Sequence, residues 1–238
     1  MGRQYTRNEM EDKCKEALKN PNTFYAQGFV NYQGICPDAG VPYTEVVAKF
    51  LCNNLTQYVA GIKKISRKSS YYTPTHDGQH DPTSNREEEL IAMKMFNAST
   101  AGTVYTGIGK ILDYQTPLKS RQTDKAGKID LLSFDGNTLR LLELKKPTSK
   151  ETMLRCVLEG FTYLKTVDEQ KLISNFNEKD GVNIPDDTPV KASPLVFVNS
   201  RPHKDFLGDS PHLKLLMDLL DSQPFFIEKK GQDFVVIP

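Results

Sequence analysis

The chain has 238 residues, of which 38% are hydrophobic and 26% are charged, so it is long enough to bury a sizeable core within one elaborated domain. Its 31 basic and 30 acidic residues leave a formal net charge of +1, which excludes a strongly basic protein, and any nucleic-acid-binding surface must be local. No run approaches the ~18 apolar residues that a membrane span requires, and we predict no association with a membrane.

The cysteines and the N-terminus indicate the compartment. The four cysteines, Cys14, Cys36, Cys52 and Cys156, show neither a CxxC pair nor a metal-type spacing. The N-terminus is polar and of mixed charge, unlike a secretion signal. We therefore expect reduced thiols in a cytoplasmic protein.

Residues 1–80 are predicted to form an N-terminal helical extension that ends in a polar loop. Residues 8–19 are typical of a short polar helix that stops before a proline. Apolar residues then recur at helical spacing, which predicts one long amphipathic helix over 44–65. Residues 66–86 are polar, contain proline and show no periodicity, and they favour a long loop.

Residues 81–238 are predicted to form an α/β domain, and the alternative is one continuous domain over the whole chain. The predicted elements are a helix at about 85–98, strands at about 103–114, 128–134 and 138–145, a helix at 149–166, a strand at 195–199, a helix at 210–221 and a hairpin at 225–237. The capping-box pattern of Thr148 and Glu151 marks the start of the second of these helices. That helix fits a right-handed crossover to a parallel, fully buried strand.

The segment 128–147 indicates function most directly. It places Asp130 on one short apolar strand and Glu143 and Lys145 on the next, joined by an Asp-Gly-Asn turn that is a strong hairpin signal. Side chains alternate along a strand, so Glu143 and Lys145 are predicted to share a face. Because Glu143 interrupts a run of leucines, its carboxylate must be paired or bind a metal. The alternative to a metal site is a structural Glu143–Lys145 ion pair.

The same pattern of residue types occurs near the C-terminus, but without a predicted hairpin between the acids. Glu228 and Lys230 repeat the Glu-x-Lys spacing near the C-terminus, with Asp209 or Asp218 upstream. Those acids lie on or before a predicted helix, so nothing brings them to Glu228. The predicted hairpin is what distinguishes the Asp130 set.

Asp130, twelve residues and then Glu143-Leu144-Lys145 resemble the signature of the PD-(D/E)XK nuclease superfamily, although Ile129 stands where that signature has proline. The order of elements from about 85 to 200 resembles its restriction-endonuclease-like fold. The resemblance implies an αβββαβ core with a mixed sheet flanked by helices, plus the N-terminal helical extension and the C-terminal β-hairpin. It also implies that Asp130, Glu143 and the backbone carbonyl of Leu144 bind Mg²⁺ or Mn²⁺, and that Lys145 orients or helps deprotonate the attacking water.

The family often adds a glutamate from the helix before the sheet. Glu89 is the residue that we expect in this role, because it shares a face with inward-pointing apolar residues. Glu88 is a close competitor. Alternatively, Glu87, Glu88 and Glu89 serve only the helix dipole, which favours acids in the first turn.

Basic residues for a phosphate backbone fall into two groups. Lys63, Lys64, Arg67 and Lys68 form the densest cluster, with Tyr71 and Tyr72 beyond it for base stacking. A solvated helix end is the alternative for that cluster. Lys128 and Lys146 lie beside the acidic set.

For two motifs that contain histidine, we expect ordinary loops and not binding sites. His76 and His80 have a spacing that binds zinc on a helix, but the glycine and prolines around them favour an ordinary loop. His203 follows the buried strand together with Arg201 and Lys204, where a phosphate contact is conceivable and a polar loop is preferred.

The sequence therefore predicts metal-dependent hydrolysis of phosphodiester bonds in nucleic acid, DNA more than RNA. The alternative is a catalytically inactive domain on the same scaffold that binds nucleic acid or a protein partner. A third hypothesis is an α/β fold unrelated to nucleic acid.

Overall fold

The computed structural model describes residues 3–79, 86–119 and 127–237. Over these residues the chain forms an α/β fold with one mixed six-stranded sheet and eight α-helices. The helices are α1 (Arg7–Ala17), α2 (Tyr43–Asn53), α3 (Leu55–Gly61), α4 (Glu87–Thr100), α5 (Met153–Thr166), α6 (Glu169–Phe176), α7 (Arg201–Leu207) and α8 (Pro211–Leu219). The strands are β1 (Lys110–Pro117), β2 (Lys128–Phe134), β3 (Leu139–Lys145), β4 (Val190–Phe197), β5 (Phe225–Lys230) and β6 (Asp233–Ile237).

The strands lie in the sheet in the order in which they occur in the chain. Neighbours are antiparallel from β1 to β3, parallel from β3 to β5, and antiparallel again between β5 and β6. Helices α5 and α6 connect β3 to β4, and α7 and α8 connect β4 to β5. The crossover to a parallel β4, which is buried from Ala192 to Phe197 between its two neighbours, is thus confirmed.

A tight turn fixes the β2–β3 hairpin. Asp135 Oδ1 accepts the backbone N–H groups of Asn137 and Thr138, each at 2.8 Å. Gly136 has a φ of 98°, which an L side chain rarely adopts. Leu131 pairs with Leu142, so the register of the predicted hairpin is set by its own turn chemistry.

Each face of the sheet has its own hydrophobic layer. Leu142 and Leu144 of β3 pack in one cluster with residues of α4. Leu139 and Leu141 pack in another with residues of α5 and α6. Because side chains alternate along β3, Glu143 and Lys145 face α5.

The N-terminal helices belong to the same packed body. Met10, Leu51 and Tyr58 share one hydrophobic cluster with Val157 of α5 and Leu216 of α8. The N-terminal helices therefore share a hydrophobic cluster with two helices of the predicted α/β domain.

Several predicted boundaries are wrong for local reasons. The helix predicted over 44–65 is divided into α2 and α3 at Asn54, whose φ of −120° and ψ of 23° are not helical. The first strand begins at Lys110 instead of 103, because Gly107 and Gly109 adopt positive φ in a turn before it. Helix α5 begins at Met153, because the Thr152 side chain, not Thr148, accepts the capping N–H of Arg155.

Two helices were not predicted. Helix α6 is capped by Asp168, whose side chain accepts the Lys171 N–H. Helix α7 occupies the segment expected to be a polar loop, with Pro202 in its first turn. Within the described ranges, none of the helices combines the length and apolar content that crossing a bilayer requires.

Candidate active site

Asp130 lies where β2 and β3 stop pairing. The β2–β3 ladder runs only as far as Leu131 and Leu142. Beyond it, Asp130 Oδ2 accepts the Leu144 backbone N–H at 2.9 Å, and Oδ1 accepts the Gln115 side-chain amide at 3.0 Å. Burial raises the pKa of Asp130 to about 7, because the lost hydration outweighs the attraction of Lys145 and the Leu144 hydrogen bond.

Glu143 and Lys145 form a buried ion pair on the α5 face of the sheet. Lys145 Nζ donates to Glu143 Oε1 at 2.6 Å, and only 7% and 5% of the lysine and glutamate side chains are exposed. Burial alone would lower the pKa of Lys145, but the charges of Glu143 and Glu159 raise it well above its usual value. Lys145 is therefore a firmly protonated ammonium.

Helix α5 and the turn before it add two acids, Glu151 and Glu159, that were not predicted to belong to the site. Lys145 Nζ lies 3.0 Å from Glu151 Oε2 and 3.4 Å from Glu159 Oε2. Glu159 Oε1 also accepts the hydroxyl of Tyr163 at 2.9 Å. Glu159 lies on the side of the helix opposite to its predicted apolar face, so helical periodicity carried no signal for it.

Helix α5 packs closely on β3 at Gly160. A Cβ atom at Gly160 would lie 3.6 Å from Glu143 Cβ and from Ala192 Cβ, which is ordinary van der Waals contact. This close packing brings Glu159 within reach of Lys145. The site is thus built by the packing of α5 as well as by the hairpin.

Carboxylates outnumber cations in this cluster. The acids are Asp130, Glu143, Glu151 and Glu159, and the cations beside them are Lys145 and Arg155, whose Nε lies 3.1 Å from Glu151 Oε1. Burial and the charge of Glu159 raise the pKa of Glu143 well above its usual value. A buried excess of negative charge of this kind is relieved by a divalent cation.

The residues present fit a hard divalent cation on chemical grounds. Asp130 and Glu143 offer carboxylate oxygens, and Mg²⁺ is commonly held by one or two carboxylates while it keeps several waters. No cluster of three or more His, Cys, Asp or Glu side chains able to hold a metal occurs in the part of the chain that the structure describes. The fit therefore rests on the two carboxylates and water, and the predicted Leu144 carbonyl ligand stays a prediction.

The start of α4 forms the other wall of the site. Glu88 Oε1 accepts the Lys146 backbone N–H at 3.0 Å, while Glu89 lies 3.5 Å from Arg86 and Glu87 lies 3.3 Å from Lys146 Nζ. The structure thus brings Glu88, rather than Glu89, to the end of β3. A polar cavity of about 300 Å³ opens here, lined by Arg86, Glu87, Glu88, Glu89, Gln115, Asp130 and Lys146.

One residue of the predicted basic cluster, Arg67, has a structural role. Arg67 donates to the carbonyls of Ser70 and Lys119, and its guanidinium lies 5.5 Å from the centre of the Tyr71 ring. Tyr71 is fully buried, so its predicted role in base stacking is wrong. Lys63, Lys64 and Lys68 are exposed on the loop.

The remaining predicted cations lie beside Asp130. Lys128 is exposed on β2, two residues before Asp130. Lys146 follows β3 and lines the cavity, with its ammonium near Glu87. These two residues provide local positive charge at the site, which the net charge of the chain does not.

The described histidines of the two motifs, His76 and His203, have partners other than the proposed site residues. His76 Nδ1 lies 2.8 Å from Asp113 Oδ1, and His80 falls outside the described residues, so a zinc pair is not tested. His203 lies on α7 with its ring against Phe226. Arg201 pairs with Asp205 at 2.6 Å, which occupies its guanidinium.

Comparisons with known proteins do not assign the chain to a family. A scan against protein-family models, a search of curated proteins and a search of solved structures each find no match. The function is therefore argued from the geometry of Asp130, Glu143 and Lys145.

Proposed function

We propose that this protein hydrolyses phosphodiester bonds in nucleic acid, with DNA as the first substrate class, by means of a divalent metal ion bound at Asp130 and Glu143. One observation carries the proposal. The β2–β3 hairpin and α5 gather Asp130, Glu143 and Lys145 into one buried, electrostatically coupled cluster in which acids outnumber cations. Mg²⁺ or Mn²⁺ would supply Lewis-acid chemistry here, lowering the pKa of a bound water and stabilising charge on the phosphate.

The chain's own groups have separable roles in this proposal. Asp130 is fixed through both oxygens, by Gln115 and by the Leu144 N–H. Lys145 has a raised pKa and stays protonated at neutral pH, so it orients water and offsets phosphate charge instead of abstracting a proton. Glu159 and Glu151 hold the lysine ammonium in place.

We extend the proposal to the fold and to the family. The order α4, β1, β2, β3, α5 and β4, with an antiparallel β1–β2–β3 meander and a parallel β4, supports an αβββαβ core of the restriction-endonuclease-like type. Asp130 on β2, and Glu143 and Lys145 on β3, support the site that the PD-(D/E)XK resemblance implies. The N-terminal helices and the β5–β6 hairpin are then additions to it.

One observation favours a second candidate function. The Glu143–Lys145 pair is short and buried, so Lys145 already satisfies the carboxylate without a metal. A catalytically inactive domain that binds nucleic acid or a partner would keep this pair as a structural element. Such a domain binds DNA without cutting it in any metal.

Cleavage assays on single-stranded DNA, duplex DNA and RNA, in Mg²⁺, Mn²⁺ or EDTA, test the proposal. The wild type is expected to cut DNA only with metal, and Asp130→Asn and Glu143→Gln each to lose on the order of 100-fold or more in rate while remaining folded by circular dichroism. Glu228→Gln is the matched control, because Glu228 has the same Glu-x-Lys spacing on β5 and should leave the rate unchanged. Undiminished cleavage by Glu143→Gln contradicts the proposal, and binding without cleavage in every metal establishes the inactive alternative.

A further inference from the structure

Strand β1 contains a residue in an unusual backbone conformation beside the site. Gln115 has a φ of 51°, in the left-handed region. Glycine, asparagine and aspartate adopt this region most readily, and glutamine does so at a steric cost. Strain of this kind persists where the surrounding structure requires it, and it clusters at functional sites.

The strand pairing places Gln115 directly across from Asp130. Tyr114 pairs with Leu131 and Thr116 pairs with Ile129, so Gln115 and Asp130 face one another between these two pairs. The flanking pairs keep the register fixed. The unusual conformation therefore occurs at the one position of β1 that adjoins the proposed metal ligand.

Strand β2 departs from regular alternation at this point. Leu131 packs in the hydrophobic cluster of α4, whereas Ile129, two residues earlier, packs in the cluster of α5 and α6. Residues two apart in a regular strand share a face, so the alternation is broken at Asp130. Leu118, directly after β1, also packs in the α5 and α6 cluster, whereas Tyr114 of β1 packs in the α4 cluster.

The result is a carboxylate that is held from two sides. Gln115 Nε2 donates to Asp130 Oδ1 at 3.0 Å, and the Leu144 N–H donates to Oδ2 at 2.9 Å. A carboxylate accepts about two hydrogen bonds at each oxygen, so each oxygen keeps a lone pair for a ligand in the cavity that both side chains line. Partners that fix a metal-binding side chain raise metal affinity by organising it beforehand.

We infer that Gln115 is a positioning residue, which fixes the orientation of the Asp130 carboxylate for a divalent cation. The inference rests on the proposed function. It goes beyond that proposal because it assigns a role to a neutral residue of β1 and explains why glutamine keeps a conformation that suits glycine better. If Gln115 had a purely structural role, its side chain would stabilise the fold, and replacing it with glycine would lower the folding stability.

Mn²⁺ affinity and melting temperature of the full-length protein separate these roles. For Gln115→Gly we expect the dissociation constant for Mn²⁺, measured by electron paramagnetic resonance, to rise about tenfold, with the melting temperature unchanged or higher. Gln115→Asn tolerates the same φ but is one methylene shorter, so we expect a similar loss of affinity. Asn199→Gly is the control, because Asn199 also has a positive φ, of 65°, and follows β4, outside the two strands that hold Gln115 and Asp130.

The outcomes distinguish the inference from the proposal on which it rests. A wild type that binds no Mn²⁺ overturns both. A wild type that binds Mn²⁺ together with a Gln115→Gly protein that binds it equally well overturns the inference alone. A Gln115→Gly protein that melts well below the wild type also overturns it, since Gln115 would then be structural.

Discussion

Replacing Asp130 with asparagine is expected to stabilise the metal-free protein, and to do so more at pH 8 than at pH 5. The pKa of Asp130 rises from 3.8 to about 7 on folding. Between these values the folded state keeps a proton that the unfolded state has released, so stability falls as the pH rises. Asparagine has the size of the protonated acid and does not ionise, so the variant lacks this loss.

The magnitude follows from the pH interval. Each pH unit between the unfolded and folded pKa values lowers the free energy of unfolding by about 1.4 kcal/mol. Between pH 5 and pH 8, only the interval from pH 5 to about 7 changes the stability difference between variant and wild type, by roughly 2 to 3 kcal/mol. The partial solvent access of Asp130 reduces this change to about 2 kcal/mol. For a chain of this length that is about 4 to 8 °C in melting temperature.

Thermal unfolding in EDTA, followed by circular dichroism at pH 5 and pH 8, measures the effect. The quantity of interest is the change with pH in the difference between variant and wild type, because other titrating groups affect both proteins equally. Asp135→Asn is the matched control: hydrogen bonds from Asn137 and Arg140 outweigh burial and lower the pKa of Asp135. That variant should be destabilised by the same amount at both pH values, since its carboxylate is ionised throughout. An Asp130→Asn difference that does not change with pH would refute the reasoning.

Two further predictions concern the ion-pair cluster and the turn before β1. Lys145→Met leaves the Glu143 carboxylate buried without its cation, so the free energy of unfolding, measured with urea at pH 8, should fall by about 3 to 5 kcal/mol. Adding Glu143→Leu should recover most of this stability. A fall below about 1 kcal/mol would contradict a closed buried pair. Gly109→Ala should destabilise strongly, because Gly109 has a φ of 77° and a Cβ atom would lie 2.1 Å from the Phe134 carbonyl oxygen. Gly231→Ala, with a φ of 65° and open space, isolates the backbone strain alone, and equal losses in the two variants would show that the contact with Phe134 does not matter.

Local chemistry explains what the sequence could predict of the site. The Asp135 turn sets the register of β2 against β3, and that register alone brings Asp130 toward Glu143 and Lys145. Alternation then places Glu143 and Lys145 on one face. These inferences need only neighbouring residues, and the structure confirms the hairpin and the shared face.

The rest of the site depends on tertiary packing. Glu159 reaches Lys145 because α5 packs closely on β3. Gln115 contacts Asp130 because the register of β1 against β2 places the two residues opposite one another. No periodicity in a single sequence encodes either event, so neither residue was predicted.

Tertiary structure also decided between interpretations that the sequence left open. Tyr71 next to a basic cluster suits base stacking, yet it packs in the core and its hydroxyl accepts the Asp168 N–H at 3.2 Å. Glu88 and Glu89 adjoin in the chain, and only the angle at which α4 meets β3 brings Glu88 to the Lys146 N–H. Neither outcome follows from residue type.

The central claim is that Asp130 and Glu143 bind one divalent metal ion, and anomalous diffraction from crystals soaked in Mn²⁺ tests it most directly. We predict an anomalous peak within ~2.0–2.6 Å of carboxylate oxygens of both residues, with Lys145 remaining in the same cluster. The Glu143→Gln protein should show a weaker peak or none. A wild-type crystal with no peak between these carboxylates, or with Mn²⁺ bound only to Glu87 and Glu89 at the start of α4, would contradict the claim.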